Sequence, residues 1–424
     1  MENKNKSYAR KKTLDVSALW KGKGPLLKHL DIELTERCNH NCIHCYINRP
    51  AGDADARTRE MTTSQVKEVL QAAADLGCLT VCFTGGEVLL RRDFEELYRC
   101  ARRLGLTVPI FTNGTLLTPR LADLFARIPP LKPIEITVYG MQPESYEAVT
   151  RVPGSFVAFQ RGLRLLGERG VPFIVKCALL PPNKAEMEAF EAMAASLPAM
   201  DRPPSYVLSL DLRARRDSAE RNRQVNALRL PPDDVVVVLA RRGEAYLQET
   251  RAFCTRFTRP PGDTLFGCGA GKGSACVDAY GHIQMCMPLR HPETTDDLFE
   301  MGQGAGGRQG DPTPQRTNQP SNHLTNHLTN QLKTALTRFT HLRELRATNP
   351  DYLARCARCF LKGLCDQCPA KSWMEHGTLD TPVEYLCQVA HAKARYLGLL
   401  AKGENAWEIR DWQERIADFA AQKI

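Results

Sequence analysis

No apolar run in this chain approaches the roughly 18 residues that cross a bilayer as a helix. The stretch from Met1 to Lys12 is polar and basic, with no apolar segment behind it, so no secretory signal is recognisable. The expected address is the cytoplasm, without a membrane. No nucleic-acid-binding module stands out either, so a nucleic-acid partner is not expected. Neither sign of charge dominates. The 57 basic and 48 acidic residues leave a net charge of +9, which suits either an anionic partner or a plain basic surface. Cysteine, by contrast, is plentiful, with 16 in 424 residues. In a reducing compartment that many thiols point to metal ligation rather than disulfides. With 43% hydrophobic and 25% charged residues, the composition is that of a globular protein with room for about two or three domains.

The stretch Cys38-Asn39-His40-Asn41-Cys42-Ile43-His44-Cys45-Tyr46 sets three cysteines at C-x3-C-x2-C spacing. Thiolates are soft ligands that suit iron–sulfur clusters or zinc. A closed structural site takes four protein ligands. Three on one tight loop leave a metal position open, as a reactive cluster requires.

Strand and helix signals alternate on both sides of this loop. Strands are expected at Leu30–Thr35, Leu79–Phe83, Leu106–Phe111, Ile134–Val138, Val171–Leu179 and Tyr206–Leu212. Helices fill the intervals, the first capped by Thr62 or Thr63 and a later one opened by Thr118-Pro119. About six βα units imply a mainly parallel α/β sheet, curled into a partial barrel or left open. In such folds ligands bind beyond the C-terminal ends of the strands. Cys38–Cys45, Gly85-Gly86-Glu87, Asn113 and Tyr139 fall after the first four strands. Two glycines allow close backbone approach to a ligand, and the Glu87 carboxylate suits an ammonium group.

Together these residues resemble the radical S-adenosylmethionine (radical SAM) enzymes. The resemblance implies a partial (β/α)6 barrel in which Cys38, Cys42 and Cys45 hold a four-iron four-sulfur cluster, its open iron chelated by S-adenosylmethionine. Gly85, Gly86 and Glu87 match the family's Gly-Gly-Glu motif, which contacts the amino group of that cofactor; Val88 stands where a proline usually follows. By the same resemblance Asn113, Thr137 and Tyr46 join the cofactor site. Thr137 also reads as an ordinary strand residue. Tyr146 to Phe156, with Pro153-Gly154-Ser155-Phe156, resembles a turn of peptide-modifying members. The arginines Arg213, Arg215, Arg216, Arg221 and Arg223 read as a solvated face or a substrate contact.

A second cysteine array follows. Cys268, Cys276 and Cys286 come first, then Cys356-x2-Cys359-x5-Cys365-x2-Cys368, then Cys387. The two C-x2-C pairs alone suit a zinc ribbon, which leaves the other cysteines surplus. Gly281 fits a tight hairpin turn between Tyr280 and His282. The array resembles the SPASM domain, which holds auxiliary iron–sulfur clusters, although two residues rather than three separate Cys365 from Cys368. The resemblance implies two such clusters. Cys356, Cys359, Cys365 and Cys387 would hold the outer one. Cys268, Cys286 and Cys368, with Cys276 as fourth ligand, would hold the inner one. Cys78, Cys82, Cys100 and Cys177 read as buried apolar residues, and Cys254 stays open. The implied layout is a flexible basic arm at 1–27, a barrel at 28–235, a bridging region at 236–267, a cluster domain at 268–395 and a C-terminal helix at 396–424. A low-complexity insert at about 300–333 is expected to be a loop, merging into a helix near Leu332–Arg346.

The resemblance implies reductive cleavage of S-adenosylmethionine to a 5′-deoxyadenosyl radical and hydrogen abstraction from an unactivated C–H bond. The expected substrate is a ribosomally made peptide, modified or crosslinked oxidatively. Only 37 residues precede Cys38, so a separate peptide-recognition protein is expected, with a flavodoxin or ferredoxin as electron donor. A sulfatase-maturing role is disfavoured, because Met287 follows Cys286 where such enzymes carry aspartate. A tetrapyrrole side-chain enzyme is the alternative within the class. A non-enzymatic iron–sulfur or zinc protein is the alternative outside it.

Overall fold

The computed structural model describes residues 27–257, 260–300 and 322–421. The basic arm and the first part of the low-complexity insert lie outside the described residues. Two compact units emerge. One comprises Met1–Val207, Gly269–Met287 and Pro292–Thr340; the other comprises Leu208–Cys268, Pro288–His291 and His341–Ile424. Among the described residues no helix is long and apolar enough to cross a membrane.

Six parallel strands organise the first unit: β1 (His29–Thr35), β2 (Thr80–Gly85), β3 (Phe111–Thr112), β4 (Ile134–Val138), β5 (Phe173–Ala178) and β6 (Ser205–Val207). They lie side by side in chain order, β1 with β2, β3 with β4, β4 with β5 and β5 with β6. The β2–β3 seam is held by parallel bridges from Thr80 to Thr107 and from Phe83 to Ile110. Among the described residues no pairing joins the two ends of this order into a closed barrel, and the parallel α/β arrangement is the one that the alternation implies. Its strands alternate as a two-faced sheet requires. In β4, Ile134, Ile136 and Val138 are buried while Glu135 and Thr137 are half-buried on the opposite face. The segment expected as a strand over Leu106–Phe111 pairs regularly only at its end. Pro109 has no N–H to give to the ladder, although Thr107 and Pro109 carbonyls still accept from Val81 and Phe83.

The outer edge of β1 is covered. Strand β7 (Ser274–Val277) pairs with it in parallel, β8 (His282–Gln284) turns back antiparallel, and β9 (Thr295–Asp297) follows. The turn between β7 and β8 falls at Tyr280-Gly281, as the sequence suggests. Gly281 has φ +93°, and a Cβ there would lie 2.5 Å from the Phe299 ring. Cys286 sits two residues past the return strand.

Helix Thr63–Asp75 begins with a capping box. The Thr62 hydroxyl accepts from the Gln65 N–H at 3.3 Å, and the Gln65 side chain accepts from the Thr62 N–H at 2.9 Å. Its buried face is Val66, Val69, Leu70 and Ala73. Thr118 caps helix Pro119–Arg127, with proline at its first position, where the missing N–H is harmless.

The insert departs from expectation. A helix spans Asn322–Leu342, covering residues read as loop and ending before Arg346. Leu328, Leu332, Ala335, Leu336 and Phe339 are buried at the i, i+4, i+7, i+8 spacing of one helical face. The four-residue repeat that looks like low complexity therefore carries a helical stripe.

The second unit is helical. Its helices are Ala219–Ala227, Pro232–Ala240, Glu244–Phe257, Pro369–His376, Glu384–Tyr396 and Trp412–Ala421. One apolar cluster joins Cys254, Phe360, Leu361, Ala390, Ala394, Leu399, Leu400 and Phe419. Cys254, left open by the sequence, is thus a core residue, with burial pushing its thiol up. Within the C-terminal segment expected as a helix at 396–424, the described helix is Trp412–Ala421, and Glu384–Tyr396 precedes it.

Candidate functional site

The three-cysteine loop leaves the C-terminal end of β1, and several elements fix it there. Arg37 makes a two-pronged pair with Glu60 at 2.8 and 2.9 Å, and Arg91 donates to the carbonyls of Leu34 and Met61 at 3.1 and 2.9 Å. Within the loop, the backbone N–H groups of Asn41 and Ile43 donate to the carbonyls of Thr150 and Val149, both at 3.0 Å. Those carbonyls belong to the last turn of helix Pro143–Thr150, which orphans them. Sequence reasoning missed this support; Pro143 with Glu144 beside it is the helix-start signal that marks it.

Gly85 and Gly86 pack against the loop's own root. A Cβ on Gly85 would lie 2.2 Å from the Thr35 carbonyl oxygen, at φ +129°, and one on Gly86 would lie 2.3 Å from that of Arg37. The Gly86 and Glu87 N–H groups donate to the same two carbonyls at 2.7 and 2.9 Å. The close approach that these glycines permit is therefore to the backbone at the end of β1 and just beyond it.

Glu87 is fully buried. Its carboxylate accepts from the Thr112 hydroxyl at 2.7 Å, the Asn113 N–H at 2.8 Å and the Leu89 N–H at 3.0 Å. Burial still raises its carboxyl above the ordinary value, against these three donors. Asn113 carries the connection onward. Its Nδ2 donates to Asn39 Oδ1 at 2.9 Å and approaches Cys38 Sγ at 3.9 Å, while Thr115 donates back to its Oδ1. The end of β3 thus ties the Gly-Gly-Glu turn to the cysteine loop.

Cys38, Cys42 and Cys45 stand on this loop, none of them in a disulfide. Burial, the Glu87 carboxylate, and the neighbouring Cys45 and Cys42 all push the Cys38 thiol well up. Backbone N–H groups already face two of the sulfurs, His40 to Cys38 and Asn48 to Cys45, both at 3.4 Å. His40, only 3% exposed, packs against Tyr139 and Tyr146 with ring centroids 5.8 and 6.4 Å apart. Burial holds its imidazole neutral, with its pKa lowered to about 4. Tyr139, at the end of β4, also meets His44 at 5.9 Å. The structure therefore brings together Cys38–Cys45, Gly85–Glu87, Asn113 and Tyr139. Tyr46 lies half-buried on the loop. Thr137 makes none of these hydrogen bonds and stands beside Lys176 in the β4–β5 register.

Among the described residues, no three His, Cys, Asp or Glu side chains are already drawn to metal-holding distances. The donor chemistry nevertheless fits a soft metal cluster. Glu87, Cys45 and Cys42 oppose ionisation of the Cys38 thiol, a conflict that a bound cation reverses.

In the second unit, Cys356, Cys359, Cys365 and Cys387 line one small cavity, shared with Val383, Ala390 and His391. Burial pushes Cys356 up to about 12 and both Cys359 and Cys387 up to about 11, with neighbouring thiols adding to the first and last. Burial raises Cys368 against the opposing backbone hydrogen bonds of Lys371 and Ala370, and the charge of Cys268 adds to the rise. Cys276 is buried on β7, where its sulfur accepts from Gln284 at 3.8 Å, and Cys286 is partly exposed. Cys78, Cys82 and Cys177 are buried and Cys100 is partly so. The arginine run is engaged within its own unit. Arg213 and Arg215 pair with Asp217, and Arg216 donates to the Trp373 and Met374 carbonyls.

Comparison with known proteins agrees with this geometry. The family model described as "Radical SAM superfamily" matches residues 32–194. The AdoMet-dependent heme synthase of Methanosarcina barkeri is 30% identical over 168 residues, 40% of this chain and 47% of that protein. This chain thus spans less than half the length of that relative. The structure of anSMEcpe with bound AdoMet and Cp18Cys peptide superposes with a TM-score of 0.53 at 15% identity, covering 93% of this chain and 99% of that one. SuiB of Streptococcus suis bound to the precursor peptide SuiA gives 0.53 at 15% identity, covering 88% and 78%. At those identities the likeness is one of fold. Residues 32–194 therefore match the radical SAM superfamily, and the fold along the chain is like that of anSMEcpe and SuiB.

Proposed function

We propose that Cys38, Cys42 and Cys45 hold a four-iron four-sulfur cluster and that Gly85, Gly86, Glu87, Asn113, Thr137 and Tyr46 form the S-adenosylmethionine site beside it. Together, when bound, these groups supply a 5′-deoxyadenosyl radical that takes a hydrogen atom from an unactivated C–H bond. The observation that carries the reading is the chain of hydrogen bonds from Glu87 through Asn113 to Asn39 and Cys38. It sets a carboxylate, an amide and the cysteine loop at adjacent strand ends. The protein's own part is to place and to shield. Helix Pro143–Thr150 and Arg37 hold the loop, and the His40, Tyr139 and Tyr146 rings exclude water behind it. The cysteines' need for a reducing compartment supports a cytoplasmic address.

The favoured substrate is a ribosomally made peptide. Support comes from the full-length fold likeness to two proteins whose structures hold peptides and from the four cysteines lining one cavity. Cys356, Cys359, Cys365 and Cys387 are assigned to an outer auxiliary cluster. Cys268, Cys276, Cys286 and Cys368 are assigned to an inner one by the family resemblance of the array. The substrate would lose two hydrogens, one as an atom to the 5′-deoxyadenosyl radical and one as a proton to water, and the auxiliary clusters, when bound, would supply an acceptor for its remaining electron. A flavodoxin or ferredoxin would donate the electron that cleaves S-adenosylmethionine, and a separate recognition protein would deliver the peptide.

A second reading, an iron porphyrin substrate, is favoured by the 30% identity to the heme synthase. Incubation of reconstituted protein with reductant, S-adenosylmethionine and either a short peptide encoded beside the gene or an iron porphyrin separates the two. The peptide reading expects a loss of about two hydrogen masses per modification. A mass change on the porphyrin alone would transfer the assignment to the second reading.

A further inference from the structure

We propose that His391 is a positioning residue that sets the reduction potential of the cluster held by Cys356, Cys359, Cys365 and Cys387, by donating its Nδ1–H to the Cys387 sulfur. The inference rests on the outer-cluster assignment above.

Cys387 and His391 lie four residues apart on helix Glu384–Tyr396, so their side chains share a face. His391 is only 8% exposed. Two neighbours fix its tautomer. The Ala406 N–H donates to Nε2 at 3.1 Å, so Nε2 is the acceptor and a neutral ring carries its proton on Nδ1. That Nδ1 lies 2.9 Å from the Cys387 carbonyl oxygen and 3.6 Å from Cys387 Sγ. The N–H is shared between the two, both on the residue assigned as ligand. The ring cannot turn away easily. Trp407 packs edge-on at 5.3 Å, Arg355 lies 5.7 Å from the centre of the Trp407 ring, and Ala406 is fully buried.

The electrostatic consequence has a definite sign. A thiolate-ligated cluster becomes more negative on reduction, and its sulfurs become better acceptors. An N–H donor at sulfur therefore stabilises the reduced form more than the oxidised one and raises the potential. Removing the donor lowers it.

The test is a redox titration followed by electron paramagnetic resonance on the full chain carrying Cys38→Ala, Cys42→Ala and Cys45→Ala, so that only auxiliary clusters report. His391→Leu removes the donor, and His391→Asn keeps an N–H near the Nδ1 position. The expected result is a roughly threefold to tenfold fall in the reduced-to-oxidised ratio of one signal at fixed potential in His391→Leu, where tenfold is about 59 mV for one electron. Iron content should be unchanged, and His391→Asn should restore most of the ratio. Full iron in His391→Leu with the unshifted potential overturns the proposal. Unchanged iron on replacing Cys356, Cys359, Cys365 and Cys387 by alanine overturns the cluster assignment, and the proposal with it. Should His391→Leu fail to fold, histidine-labelled protein gives an independent reading. A nitrogen coupling to the reduced cluster, lost in His391→Asn, supports the proposal, and no such coupling overturns it.

Discussion

At the scale of single residues the site hangs on Glu87. Its carboxylate is buried, yet three donors from two strand ends converge on it. Replacing it by alanine leaves those donors buried and unpaired, so Glu87→Ala should destabilise the cluster-free protein by about 2–4 kcal/mol. Glu87→Gln retains an acceptor oxygen and should cost less. Urea denaturation of the three proteins checks the order, and equal midpoints would contradict it. Asp217 supplies a pH test away from the cysteines. Burial opposes its charge, but hydrogen bonds from Arg213 and the guanidinium charges of Arg213 and Arg215 outweigh burial. Its carboxyl therefore titrates well below the ordinary 3.8. A depressed folded value means stability that is present above the unfolded pKa and lost as pH falls below it. Asp217→Asn should cost about 1–2 kcal/mol near pH 7, and the gap to the parent should close below about pH 4. Urea midpoints across that range decide the point; a gap that stays constant would sink the attribution.

At the scale of elements, legibility followed local period. The alternation in Ile134–Val138 and the Thr62–Gln65 capping pattern are properties of a few adjacent residues, and the elements appear where those patterns lie. Two features escaped. The Asn-His-Leu-Thr repeat hid a helical stripe, because a four-residue period resembles low complexity until Leu328, Leu332 and Phe339 are seen buried on one face. The edge partner of β1 is separated from it by more than two hundred residues, and nothing local to Ser274–Val277 signals that pairing. Gly85-Gly86 was legible as a place of close approach, but the sequence could not say what approaches. The structure answers with the Thr35 and Arg37 carbonyls. Gly86→Ala should therefore displace the turn and destabilise the fold by roughly 2–3 kcal/mol. Thermal unfolding without cluster or cofactor checks this, and an unchanged melting temperature would return the glycine's role to ligand approach alone.

At the scale of the whole molecule the account predicts metal content. Three four-iron clusters give about 12 iron per chain. Alanine at Cys38, Cys42 and Cys45 should remove about four, and alanine at Cys356, Cys359, Cys365 and Cys387 another four. About four iron with one or two zinc would leave the barrel's cluster and replace the second array by a structural zinc site. The central claim is that the loop at Cys38, fixed to Glu87 through Asn113, is where S-adenosylmethionine is cleaved. Its most direct test is the yield of 5′-deoxyadenosine from reconstituted protein, S-adenosylmethionine and dithionite, compared with the Cys38→Ala, Cys42→Ala, Cys45→Ala variant. The account predicts 5′-deoxyadenosine from the parent and none above background from the variant. Equal yields, or none from a parent that carries its full iron, would contradict it.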